Sequence, residues 1–331
     1  MGMQRIWLLR LLLPIRFSRL LSGLQISVIL LILFLWGTAN SAPTEGAPYL
    51  FFSAIIGYSI AVFSYITDKC REALIELKPT LQLSEDEFNE QLGRLGYCQP
   101  HEVVLALLIG LAGGISHLIL LMGSLARVYN ALFSGIDSIT AIAGTLIVWI
   151  VLATMSYFLV RYAILFARLG KHSVQIDILN NRPLVPFSHV ATLLSLSLIG
   201  SMALFPLMFL EQTSIFVSMV PGLIGLGIPM IAIFIIPIWP VHRRMTDAKE
   251  SELAGVNRRI AAVRKGESLE SLNDATLARL NPLLLSRREV LSAPVWPFDA
   301  GSLTQITLYL VIVPLTWAGA ALLEIAMESF L

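Results

Sequence analysis

The sequence predicts an all-α polytopic membrane helix bundle with seven transmembrane helices, a cytoplasmic N-terminus, an outer C-terminus and a small cytoplasmic helical hairpin between helices 6 and 7. Three observations predict this fold. Of the 331 residues, 56% are hydrophobic and only 14% are charged, whereas about a quarter of the residues are charged in soluble domains. The chain also contains apolar runs long enough to cross a bilayer, which takes about 20 helical residues. Finally, its lysines and arginines are concentrated in alternate connections between those runs.

Prolines and charged residues separate the apolar runs from one another. Pro43 and Pro48 lie between the first two runs, and Pro183 and Pro186 precede the fifth. The predicted spans are 21–37, 49–66, 103–123, 138–160, 188–210, 215–239 and 302–323. Each is close to the length that a tilted membrane helix needs.

The orientation follows from the basic residues, since cytoplasmic connections of membrane proteins are enriched in lysine and arginine. With seven spans, the segments on the outer side are 38–48, 124–137, 211–214 and 324–331. They hold only Arg127, so 22 of the 23 basic residues lie on the opposite side. The N-terminus is therefore predicted to be cytoplasmic and the C-terminus to be outside.

The same pattern divides the chain into six segments. They are an interfacial amphipathic leader (1–20), transmembrane helices 1–2 (21–66), a cytoplasmic helical segment (67–101), transmembrane helices 3–6 (102–240), a cytoplasmic helical hairpin (241–300), and transmembrane helix 7 with a short outer tail (301–331). Arginines among apolar residues in the leader are typical of a helix lying in the headgroup region. A signal peptide cleaved near Ala39-Asn40-Ser41 is the alternative; the long charged leader favours a retained helix.

Two cytoplasmic segments carry the signals of short helices. Before the third span, Ser84 and Glu87 form a capping box, which marks the start of a helix. After the sixth span, a helix over about 246–264 has apolar residues at a coiled-coil spacing, and a second helix starts near Ser271. We interpret this pair as an antiparallel hairpin packed on the membrane domain, with a contact between subunits as the alternative.

One histidine lies in the middle of the third span, where polar groups are costly. His117 shares its helix face with Gly110, Gly113 and Gly114. Because a G-x-x-x-G pair lets membrane helices approach closely, we predict that these glycines are helix-packing residues. His117 and its neighbour Ser116 are candidates for an ion or proton pathway, since intramembrane ionisable groups mark such pathways. The alternative for His117 is a neutral imidazole hydrogen-bonded to the next helix.

The fifth and sixth spans offer further polar groups inside the membrane. Thr192 and Ser195 lie along one face of the fifth span and are pathway candidates, although such hydroxyls often bond back to their own helix. The sixth span contains Pro221, Gly225 and Pro229, which predict a broken helix whose freed carbonyls coordinate a cation. A proline-kinked helix packed by its neighbours is the alternative.

Catalytic and cofactor-binding patterns are missing from the sequence, so we expect neither an enzyme nor a cofactor. Phosphate-loop, dinucleotide-binding and H-E-x-x-H motifs do not occur. Cys70, Cys98 and His101 supply only three candidate zinc ligands, so no metal site is predicted. The basic residues determine topology and do not predict a nucleic-acid surface.

Two functions remain open for a multi-pass protein that we expect in a cell membrane, of the bacterial inner-membrane type. The first is a homo-oligomeric ion channel or permeation protein that carries an inorganic ion across the lipid bilayer past His117 or the carbonyls of the sixth span. The second is a non-conducting sensor, or an accessory or scaffold subunit, that binds a partner through the cytoplasmic hairpin. A continuous polar path through the bundle is expected for the first function and not for the second.

Overall fold

The computed structural model describes residues 4–12, 18–38, 46–210, 216–264 and 274–298, with single positions 301, 304, 308 and 311. Most of these residues are helical. The α-helices are α1 Trp7–Arg10, α2 Ser18–Thr38, α3 Ala47–Leu77, α4 Glu85–Arg94, α5 Pro100–Met122, α6 Leu125–Ala131, α7 Ile136–His172, α8 Val185–Met202, α9 Phe216–Arg264 and α10 Asp274–Ser292. The short elements are 3-10 helices at Lys78–Thr80, Arg182–Leu184 and Phe205–Leu210, and strands β1 Gln4–Arg5 and β2 Tyr97–Cys98.

Six of the described helical stretches are long and apolar enough to cross a membrane. They are Ser18–Gly37, Pro48–Thr80, Pro100–Met122, Ile136–His172, Arg182–Leu207 and Ile224–Arg264. Each overlaps one of the first six predicted spans, so the chain is a multi-pass membrane protein. The seventh predicted span, 302–323, lies outside the described residues apart from three single positions. The count of seven spans and the orientation remain predictions.

The sixth span and the first helix of the hairpin form one continuous helix, α9. The helix passes through four prolines, at Pro221, Pro229, Pro237 and Pro240. The expected break in the sixth span is therefore wrong, and the expected segment boundary at residue 240 falls inside a helix. A proline removes one hydrogen bond of the helix, and in membrane helices neighbouring groups can compensate for that loss. At 1.5 Å per residue α9 is about 74 Å long, more than twice the thickness of a bilayer core.

The far part of α9 pairs with α10 to form the helical hairpin. Lys249 Nζ donates to the carbonyl of Leu291 at 2.7 Å. Arg287 Nε donates to Asn257 Oδ1 at 3.0 Å. Residue numbers rise along α9 as those of their partners fall along α10, so the two helices run antiparallel. Leu280 is almost fully buried.

The described part of the leader does not form a separate interfacial helix. Strand β1 pairs antiparallel with β2, and the Ile6 N–H donates to the carbonyl of Gly96 at 3.1 Å. Ile6, Leu8 and Leu9 belong to the main hydrophobic core. Removing apolar side chains from water stabilises the fold by about 25 cal/mol per Å². The described residues 4–12 of the leader are thus packed on the folded core, and where the whole leader lies relative to the headgroups stays a prediction.

The predicted capping box is confirmed at the start of α4. The Ser84 hydroxyl accepts from the Glu87 N–H at 3.3 Å, and Glu87 Oε2 accepts from the Ser84 N–H at 2.9 Å. The Ser84 N–H and the Ser84 hydroxyl both donate to the Glu87 carboxylate, and these two hydrogen bonds lower the pKa of that carboxyl, the one from the backbone most. The capping box fixes where α4 begins after the 3-10 turn that follows α3.

Tyr162 of α7 connects the membrane helices to the layer formed by α4 and the leader. Its hydroxyl accepts from the Gly96 N–H at 3.0 Å and lies 3.3 Å from the Thr67 hydroxyl. Gly96 has a φ of 89°, a conformation that glycine adopts without strain. Because Tyr162 is fully buried, this network holds Gly96, just after the end of α4, against α7 and α3.

The three glycines of α5 lie where α5 packs against α7. A Cβ at Gly110 would lie 2.6 Å from Ile150 Cα, and one at Gly113 would lie 2.6 Å from the Trp149 ring. A Cβ at Gly114 would lie 2.8 Å from another side chain of α7. None of these positions has room for a methyl group. The close approach of α5 to α7 therefore requires glycine at all three positions.

Replacing Gly110 with alanine tests this close approach. The added Cβ would meet the backbone of α7, which cannot move aside as a flexible side chain can, so we expect a loss of about 1–3 kcal/mol in the free energy of unfolding. Gly255→Ala in α9 is the matched control, since nothing lies within 4 Å of its new Cβ, and alanine favours helix by about 1 kcal/mol. Unfolding in mixed micelles measures both; equal stability of the two variants would contradict the packing.

Cys98 reports whether the leader is docked. Its buried Sγ donates to the Gln4 carbonyl at 3.5 Å, and burial, aided by the charge of Glu102, raises the pKa of the thiol. In a Cys70→Ser background we expect slow maleimide labelling of the native protein, rising with pH as the thiolate forms. Ile6→Asp, which places a charge in the core, should expose the thiol and accelerate labelling. Rapid labelling of the protein with an intact leader would argue for an undocked leader.

Candidate functional site

An apolar cavity of about 400 Å³ lies between α5, α7 and α9. Phe51 and Phe52 of α3, Phe205 of the 3-10 helix after α8, and Leu152 of α7 supply much of its wall. We call it the His117 cavity, since His117 also lines it. Its volume is that of a small-molecule site, about 300–1,000 Å³. A wall of this composition suits a hydrocarbon ligand and gives a hydrated ion few groups to replace its water.

His117 makes one hydrogen bond, to the indole of α7. Trp149 Nε1 donates to His117 Nδ1 at 2.8 Å, and the two rings meet edge to face at 74°. Because an indole nitrogen only donates, His117 Nδ1 must be the unprotonated nitrogen. The imidazole is therefore neutral, with its proton on Nε2, and Nε2 is buried without a partner among the described residues.

Trp149 fits between two helices because both have glycine beside its ring. A Cβ added to Gly113 of α5 would lie 2.6 Å from the Trp149 ring, and one added to Gly225 of α9 would lie 3.2 Å from it. The ring thus occupies space that side chains would fill, and its N–H is directed to His117. The sequence did not point to Trp149, since a tryptophan in an apolar span is ordinary. Its role is visible only once the crossing of α5 and α7 is known.

The structure brings some of the predicted pathway residues together and separates others. His117, Gly225 and Pro229 all line the cavity. Because Pro229 has no N–H, the carbonyl of Gly225 lacks its usual helical hydrogen bond. Ser116 is exposed on the other side of α5, and Pro221 is half-buried in α9 outside the cavity wall.

The predicted hydroxyls of α8 lie away from the His117 cavity. The Ser195 hydroxyl donates to the carbonyl of Met230 in α9, at a long 3.5 Å. The Thr192 hydroxyl is buried and has no partner within the described part of the chain. The Ser188 and Ser197 hydroxyls donate to carbonyls three residues earlier in the chain, at 2.8 and 2.6 Å. These hydroxyls therefore serve packing within α8 and against α9.

A second, polar cavity of about 560 Å³ adjoins the first along α7. We call it the arginine cavity. Tyr157 and Val160 line both cavities, and Arg94, Arg161 and Arg168 line the arginine cavity alone. It lies on the side of the bundle where the basic segments are found. The sequence treated these arginines only as topology determinants, because nothing in their spacing shows that they converge.

Two of the three arginines are held by carboxylates. Arg161 pairs with Glu102 at 3.1 Å and also donates to the carbonyl of Tyr97 at 2.9 Å. Arg94 pairs with Glu90 at 2.8 Å. Arg168 is exposed and forms no ion pair with another described residue. The cavity therefore has one guanidinium more than it has carboxylates.

No protein family, curated protein or solved structure matches the chain. Within the described ranges, no three histidine, cysteine or acidic side chains come together as metal ligands would. The site is therefore defined by its own geometry, as an apolar cavity around a neutral histidine with a cationic cavity beside it.

A double-mutant cycle tests the hydrogen bond between His117 and Trp149. Trp149→Phe should lower the free energy of unfolding more in the wild-type background than in the His117→Ala background, because only the wild-type background contains the hydrogen bond that the substitution removes. We expect a coupling free energy of about 1 kcal/mol, the usual net value of such a bond. Unfolding in mixed micelles measures it. Additive effects of the two substitutions would contradict the bond.

Proposed function

We propose that this membrane protein is a non-conducting sensor or accessory subunit that takes a hydrocarbon ligand from the bilayer into the His117 cavity. The observation that carries the proposal is the apolar wall of that cavity around a neutral histidine. Ligand sites are concave, mostly apolar and have few polar groups. The His117 cavity has the size and the composition of such a site.

The geometry of His117 favours ligand binding over proton conduction. A histidine that relays protons must gain a proton on its free nitrogen during each transfer. Protonation of Nδ1 would place an N–H against the N–H of Trp149 and break the only hydrogen bond that the ring makes with the described residues. Proton relay through His117 would therefore require the α5–α7 packing to rearrange in each cycle.

The remaining polar groups also favour a non-conducting bundle. An ion path needs water or polar groups from one face to the other. The pathway candidates of α8 lie in helix packing, apart from the cavity that contains His117. A homo-oligomeric channel with a pore between subunits is the competing function, and the flux measurement below separates the two.

The hairpin supplies a surface for the partner that an accessory subunit or sensor requires. Three leucines of α10 are between 37% and 45% exposed at a seven-residue spacing: Leu277, Leu284 and Leu291. A stripe with this period is the pattern that packs against another helix. Because α9 is continuous from the cavity wall into the hairpin, a change at the wall reaches the hairpin through one helix and passes to this surface where α9 packs against α10.

Flux through protein in liposomes tests the non-conducting assignment. We expect cation, anion and proton flux equal to that of protein-free liposomes under any gradient or voltage, with ionophore-treated liposomes as the positive control. If the wild-type protein supports flux and folded His117→Ala protein shows an altered flux, the proposal is overturned in favour of a channel.

Quenching of Trp149 by a brominated phosphatidylcholine tests occupation of the cavity. In a protein whose other tryptophans are phenylalanine, bromines on an acyl chain inside the cavity should quench the indole. Ala153→Leu fills the cavity wall and should reduce the quenching. Ala112→Leu is the matched control, since Ala112 is exposed on α5. Identical quenching in all three proteins would mean that bulk lipid alone reaches Trp149.

A further inference from the structure

We propose that the ligand of this site is a phospholipid with an anionic phosphate headgroup, its acyl chain in the His117 cavity and its headgroup in the arginine cavity. The inference deepens the proposed function and rests on it. It adds the chemical class of the ligand, the direction in which the ligand lies and the residues that select it.

The two cavities follow each other along α7. Along α7 the wall of the His117 cavity runs from Thr145 to Val160. Fifteen residues of helix cover about 22 Å, which exceeds half the thickness of a bilayer core. The arginine cavity continues from Tyr157 to Arg168. An elongated molecule lying along α7 therefore passes from apolar walls to charged ones.

Tyr157 lies where the chemistry of the walls changes. It is half-buried and meets Phe158 edge to face at 5.2 Å. Tyrosine has an apolar ring and a polar hydroxyl, and it is enriched where membrane hydrocarbon meets the headgroups. Its place in both walls is where the glycerol region of a bound lipid would lie.

The charges of the arginine cavity favour an anion. Its polar lining consists of Glu90, Gln91, Arg94, Gln99, Glu102, Arg161 and Arg168. Glu102 accepts a hydrogen bond from the Gln99 N–H at 2.7 Å and forms an ion pair with Arg161, so its charge is well compensated. Arg168 has no carboxylate among the described residues to compensate it. A guanidinium binds phosphate through a planar pair of N–H groups, and Arg168 is free to do so.

Position in the membrane also favours a lipid over a soluble amphiphile. Of the apolar window of α5, only 22% is buried inside the described bundle, so among the described helices α5 stands at the edge, on the side open to the bilayer. A chain from the adjacent leaflet is the hydrocarbon nearest to the cavity. On the side where the basic segments lie, anionic headgroups are attracted to arginine.

Native mass spectrometry of the full chain tests the headgroup. Phosphatidylglycerol and phosphatidylcholine with identical acyl chains are titrated separately. We expect phosphatidylglycerol to bind about tenfold more tightly, as a charge-assisted hydrogen bond predicts. Arg168→Gln should weaken phosphatidylglycerol about fivefold and weaken phosphatidylcholine less, because the choline cation already offsets the charge of its phosphate. Lys171→Gln is the matched control, since Lys171 is exposed on the same helix outside the cavity.

A second pair of variants tests whether one molecule occupies both cavities. Val160→Trp places a large ring where the cavities meet and should reduce phosphatidylglycerol binding to the level of phosphatidylcholine. Ile147→Trp is the control, because Ile147 is exposed on α7. The variant Ala153→Leu should weaken both lipids.

The outcomes separate the two proposals. Equal binding of the two lipids that Ala153→Leu still weakens would overturn the anionic headgroup and leave the apolar ligand site standing. A preference for phosphatidylglycerol that falls equally in Arg168→Gln and Lys171→Gln would also overturn the headgroup site, since it would be general attraction by the surface. If neither lipid binds, both proposals are overturned.

Discussion

The rest of the site depends on the indole of Trp149 fitting between two glycines, Gly113 on α5 and Gly225 on α9. In a membrane the hydrophobic effect does not drive helices together, so close packing and hydrogen bonds must hold them. The two glycines allow the helices to pack closely on the ring, and the indole N–H adds a hydrogen bond to His117. Where the three helices converge on this ring, the space beside it along α7 is left unfilled, and that space is the cavity.

The same interaction explains why a histidine is tolerated in the middle of a span. An ionised imidazole inside the hydrocarbon layer would be costly, and the indole N–H is matched only to the neutral form. His117 therefore satisfies the N–H of a large aromatic side chain whose own burial requires a partner. The hydrogen bond to the next helix, which was the alternative for His117, is what the structure shows, and its place in a pathway stays a prediction.

The sequence predicted what local patterns determine and missed what depends on distant partners. Hydropathy alone located the six spans that the structure describes, and the capping box located α4. Hydropathy could not predict which side chains pair, because the contact of His117 with Trp149 depends on how α5 and α7, which are separated by α6, cross each other. The continuity of α9 through Pro237 and Pro240 was missed because local propensity argues against proline in a helix. The leader was assigned to the headgroups since nothing in its own sequence shows that Gly96 would offer it a carbonyl.

A crystal structure of the protein grown from a lipidic phase would test the central claim most directly. The account predicts elongated density along α7, running from beside Trp149 past Tyr157 toward Arg168, with no water at His117. A continuous file of ordered water molecules that passes His117 and joins the two faces of the bundle would contradict it.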